Sequence, residues 1–88
     1  MNDDAAVEAL QALVRIPSVS DRDPDKVDIA AFDELLAEMR RRFPLLHERL
    51  EPTRIDTHGL LFRWTGASAA RPAVLMAHLD VVPVEGEW

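Results

Sequence analysis

The chain has 88 residues, 48% hydrophobic and 30% charged, and sixteen Asp and Glu against ten Lys and Arg give a formal net charge of −6. That length holds one core at most, burying only roughly 60–65% of the surface the unfolded chain exposes. The acidic balance excludes a nucleic-acid module, which needs a concentrated basic face, and the lack of cysteine excludes a disulfide scaffold and any thiolate metal site.

Met1-Asn2-Asp3-Asp4 is acidic where a signal peptide needs positive charge, and no apolar region follows it. The cleanest apolar run, Ala73–Ala77, is far short of the roughly 18 residues of a membrane span. The expected location is the cytoplasm, with neither membrane nor nucleic acid as partner.

Between Asp3 and Ile16 the apolar residues Ala6, Leu10 and Leu13, flanked by Val7 and Val14, recur at helical steps. Asp3, Asp4 and Glu8 favour the N-terminal end of the helix dipole. Pro17 pushes Ile16 out of the α region and ends the first helix. Residues 18–23 read as a polar connector, and Asp23-Pro24 suits an N-cap and first helical position. Ile29, Phe32, Leu36, Met39 and Phe43 then mark a second amphipathic helix. Asp25 and Asp28 stand near its start, three arginines in its last turn, and Pro44 as its terminator. Arg40-Arg41-Arg42 reads as a solvated helix end.

After Pro44 the pattern shifts to short segments. Leu46 and Leu50, alternating with polar residues before Pro52, predict an edge strand at about Leu46–Glu51. Asp56-Thr57-His58-Gly59 has turn chemistry, and Leu60, Phe62 and Trp64 line one face of a partner strand. Gly66 to Arg71 forms a small-residue loop. Ala73-Val74-Leu75-Met76-Ala77, apolar on both faces, predicts a third, central strand at about Ala73–His78. The fold class expected is α/β, two N-terminal helices followed by three strands, the opening of a layered domain.

That last apolar run leads straight into His78-Leu79-Asp80. Residues two apart in an extended chain point to one side, so His78 and Asp80 share a face at a strand's C-terminal end, where open α/β sheets bind ligands. A metal-binding histidine needs its second ring nitrogen fixed by an acceptor, and a carboxylate on the same face supplies one. The plainer alternative is a histidine satisfied at a strand end, because one ligand does not make a site where zinc takes three or four. His47 and His58 lie in an edge strand and a turn with no patterned partner. Ser18 and Ser20 lack the strand-turn-helix elbow of a nucleophile, so loop hydrogen bonding is the reading for both.

Arg15-Ile16-Pro17-Ser18-Val19-Ser20 closing a first helix, an amphipathic second helix, and the run from Val74 to Val84 with Trp88 together resemble a known family. They look like the N-terminal segment of the dinuclear zinc aminoacylase/carboxypeptidase family. Its members include acetylornithine deacetylase, succinyl-diaminopimelate desuccinylase, carboxypeptidase G and the Gly-X carboxypeptidases, and the last branch is the most similar. The resemblance implies that His78 is a ligand of one zinc and that Asp80 orients its imidazole in catalysis. It implies two zinc ions per full-length catalytic domain, or cobalt or manganese in their place, and a peptide or N-acyl amino acid as substrate. It also implies a smaller inserted domain through which the full-length protein forms a homodimer. Residues 1–88 would then be an N-terminal fragment of the catalytic domain, inactive alone, with the other ligands and the general base beyond Trp88. A reading from another class is a small acidic protein-interaction module with no catalytic role.

Overall fold

A computed structural model describes residues 2–56, 59–68, 70–83 and 85–86. In chain order these form α1 (Asp3–Val14), a 3-10 turn (Pro24–Lys26), α2 (Ile29–Arg42), α3 (Pro44–Arg49), β1 (Glu51–Ile55) and β2 (Gly59–Arg63). Helix α1 is capped by Asn2, whose side chain accepts from the Ala5 amide at 2.8 Å. The Asp23-Pro24 pair does not open the second helix. Asp23 caps the 3-10 turn, and Asp28 takes the N-cap of α2, accepting from the Ala31 amide at 3.2 Å. Both residues use the same chemistry, a short carboxylate satisfying an orphan amide.

The core is small. Ile16, Ala31, Phe32 and Leu35 are buried together, with Leu13, Val27 and Leu79 packed against them. The apolar faces therefore sit slightly off the expected stripes. In α1 the buried residue is Ala9, whereas Val7, Leu10 and Val14 are exposed. In α2 the contact is centred on Phe32 and Leu35, which leaves Ile29 half exposed. Of the expected α1 stripe, Leu13 is the residue that packs against the core.

The edge strand expected at Leu46–Glu51 is a helix through Arg49 instead. Pro44 ends α2 and also occupies the first turn of α3, where its missing N–H costs nothing. The four-residue step from Leu46 to Leu50 is one helical turn, which strand alternation also permits. The antiparallel pair lies one step later, with Glu51 opposite Arg63 and Ile55 opposite Gly59. Trp64 falls beyond β2 and is exposed. Between the strands Asp56 adopts a positive φ of 54°, and Thr57 and His58 lie outside the described residues. A Cβ on Gly59 would stand 2.8 Å from the Ile55 carbonyl oxygen, so the close return of the chain requires glycine there.

The third strand at Ala73–His78 is absent: among the described residues this stretch joins no ladder and no helix. A strand is defined by its neighbours, and Val74, Leu75 and Met76 are at least 74% exposed with none beside them. Sheet-like pairing is found just past it, where Val81 forms a parallel bridge with Val19 and its amide donates to the Ser18 carbonyl at 2.9 Å. Among the described residues no helix is long and apolar enough to cross a membrane.

Candidate metal-ligand site

Leu79 places the site. Its side chain packs on the Ile16–Phe32–Leu35 core, so its neighbours His78 and Asp80 project to the other side. His78 Nδ1 lies 3.0 Å from Asp80 Oδ1 and 3.3 Å from the Asp80 carbonyl oxygen. Both partners only accept, so Nδ1 carries the proton and Nε2 of the neutral ring keeps its lone pair. The His78 side chain is 87% exposed and that of Asp80 36%, which leaves Nε2 open to a ligand while the carboxylate is held from below.

A residue sequence reasoning had given only a loop role completes the cluster. The Ser20 hydroxyl donates to Asp80 Oδ2 at 2.6 Å. That hydroxyl, more than the His78 ring, holds the Asp80 carboxyl below its ordinary range, against a smaller upward push from burial. Nothing in the sequence marks a pair sixty positions apart; the Val19–Val81 bridge brings them into register. Ser18 is fully buried, and its hydroxyl has no hydrogen-bond partner among the described residues. Ser20, Phe32, Leu60, Ala77, His78 and Asp80 line one open groove.

The other histidines stand apart. His47 sits on α3, its Nδ1 2.9 Å from the Phe43 carbonyl oxygen and its ring edge-on to Phe62 at 5.0 Å, a packing role between α3 and β2. His58, Val84 and Trp88 lie outside the described residues. Among those residues no three His, Cys, Asp or Glu side chains gather around a point that could hold a metal ion. The donor set fits a metal as one oriented imidazole, and as one ligand only. The arginine run is more engaged than a solvated helix end: Arg41 and Arg42 both bond Glu38, and Arg42 reaches Glu8 on α1 at 3.7 Å.

No family model and no solved structure matches the chain. It is similar, however, to proteins that carry the name carboxypeptidase. Carboxypeptidase S of Saccharomyces cerevisiae is 37% identical over 89 residues, which cover 94% of this chain and 16% of that protein. Probable carboxypeptidase S-like 1 of Dictyostelium discoideum is 39% identical over 70 residues, covering 77% of this chain and 14% of that one. A putative carboxypeptidase of Saccharomyces cerevisiae is 33% identical over 88 residues, 93% of this chain and 15% of its own length. The class of protein to which this chain is similar is thus a peptidase class. The chain spans 13–16% of the length of the curated relatives it matches.

Proposed function

We propose that this chain is part of the catalytic domain of a zinc-dependent metallopeptidase or amidohydrolase that cleaves the amide bond of a peptide or N-acyl amino acid. The observation that carries the reading is the contact between His78 Nδ1 and Asp80 Oδ1 at 3.0 Å at the edge of an open groove. It presents an imidazole in the tautomer a ligand needs. The similarity to carboxypeptidases supports peptide chemistry, and the finer assignment to zinc rests on the family resemblance of Val74 to Val84.

In this mechanism His78 would be the residue that holds the metal, and Asp80 would fix its ring and stabilise positive charge on it. When bound, the metal supplies Lewis acidity toward the scissile carbonyl and activates water. The chain's own contribution is orientation: Leu79 anchors the segment in the core, and the carboxylate prevents the imidazole from rotating. The remaining ligands, the general base and the dimerising domain belong to the rest of the longer protein.

The test is a pair of substitutions in the full-length protein, with turnover and zinc content measured in parallel. His78→Ala should lose one zinc and nearly all hydrolysis. Asp80→Asn should lower metal affinity or activity by about 10–100-fold, the range for groups that orient a ligand. Normal turnover in fully metallated His78→Ala would end the ligand reading of His78, whereas an interaction module would show no turnover even in the unaltered protein.

A further inference from the structure

An aspartate at the edge of a groove is not oriented by its backbone alone. Its terminal torsion is broad and roughly two-fold, so an unrestrained carboxylate presents either oxygen to a neighbour. Asp80 is 36% exposed, and its carboxylate receives two side chains on two different oxygens, His78 on Oδ1 and Ser20 on Oδ2. The Ser20 contact at 2.6 Å has the length of a charge-assisted O–H···O⁻ bond. The backbone around it is fixed independently, because Val81 donates to the Ser18 carbonyl and Val19 bridges to Val81. Ser20 is therefore delivered to Asp80 by main-chain pairing rather than by a chance rotamer.

We propose that Ser20 is a positioning residue for the metal ligand: its hydroxyl binds Oδ2 of Asp80, reserving Oδ1 for the His78 Nδ1–H and so presenting Nε2 outward. This rests on the reading in which His78 is a zinc ligand. The order of action is Ser20, then Asp80, then the imidazole. Ser20 touches neither metal nor substrate. Removing its hydroxyl frees the carboxylate to rotate, and the imidazole then samples both tautomers and several ring orientations.

The experiment uses the full-length protein with zinc as the probe, its affinity read by competition with a chelator. Nitrogen NMR of the metal-free protein reports the His78 tautomer. Ser20→Ala should weaken zinc about tenfold, the lower end of the cost of disturbing a ligand's orienting partner, and should mix the tautomers. Ser20→Thr, which keeps the hydroxyl, should restore both. In an Asp80→Ala background Ser20→Ala should add nothing, since there is no carboxylate left to orient. Unchanged affinity in Ser20→Ala while Asp80→Ala loses it would overturn the proposal and leave the zinc reading standing. An equal loss with and without the Asp80 carboxylate would also overturn it, because Ser20 would then act by another route. Full zinc content in His78→Ala would remove the ligand reading itself, and this proposal with it.

Discussion

Leu79 is the residue on which the site turns, because one apolar side chain committed to the core decides the direction of two polar ones. His78 and Asp80 were legible in the sequence since they interrupt an apolar run two residues apart, and their placement on one side follows from chain geometry. Ser20 was not legible as their partner: a serine in a polar connector carries no mark of what lies sixty positions away. Gly59 offers a test at the same scale. A Cβ there meets the Ile55 carbonyl oxygen at 2.8 Å, and a backbone atom in a paired strand cannot step aside. Gly59→Ala should therefore destabilise the protein by about 1–3 kcal/mol, the range for a forced backbone shift. Gly66→Ala, with no atom nearer than 4.0 Å, is its control and should stay within about 0.5 kcal/mol. Equal melting temperatures for the two variants would mean that the hairpin return relaxes freely.

At the scale of elements, α1 and α2 were readable because charge placement and the terminating prolines agree with helical spacing, although the Asp23-Pro24 pair opens the 3-10 turn and not α2. Helix α3 was missed because Leu46 and Leu50 fit a strand and a helix equally, and the deciding signal was Pro44 acting at once as terminator and first-turn residue. The buried face of α2 gives a graded expectation. Leu35 is 1% exposed, so Leu35→Ala should cost about 2–5 kcal/mol, whereas Leu10, 61% exposed on α1, should cost under about 0.5 kcal/mol on the same change. Denaturant titrations compare them directly, and similar losses at both sites would contradict the packing described. Glu38 supplies a pH dependence. Hydrogen bonds from Arg42, then Arg41, lower its pKa below the ordinary 4.5. Between the lowered folded value and 4.5 the unfolded chain binds more protons, so the stabilisation is present above 4.5 and disappears as pH falls through the folded value. The melting-temperature gap between the protein and Glu38→Gln should accordingly be widest near neutrality and close toward acid. A gap that stays constant down to acid would show that the arginines do not favour the charged form.

For the whole molecule, the exposed area is 7598 Å², against about 5200 Å² expected for a compact monomer of this mass. The radius of gyration, 14.9 Å, likewise exceeds the roughly 12 Å of a compact domain of this length. Large apolar side chains are among the exposed residues: Val74, Leu75 and Met76 in one segment, and Val7, Leu10 and Val14 along α1. The central strand was misjudged in the sequence for this reason, since its composition states that it will be covered on both faces and edges without saying by what. The 88-residue chain alone is expected to self-associate and to bind hydrophobic dyes. It should bind zinc weakly and show no hydrolase activity, having one oriented imidazole where a catalytic site takes about three ligands. Sedimentation and calorimetry after chelator treatment check both expectations. A monomeric, sharply cooperative chain, or one holding a tight equivalent of zinc, would contradict them.

The Val19–Val81 bridge also sets an order of events. The helix pair and the hairpin are built from contacts between neighbouring stretches of chain, whereas joining Val81 to Val19 closes a loop of roughly sixty residues, an entropic cost of about 3–4 kcal/mol before any contact offsets it. On a ribosome, α1, α2 and the hairpin are synthesised before His78 exists, and the connector holding Ser20 waits for its partner throughout. The Ser20–Asp80 contact thus forms only after the loop has closed, and it reports that the connector and the His78 segment have met.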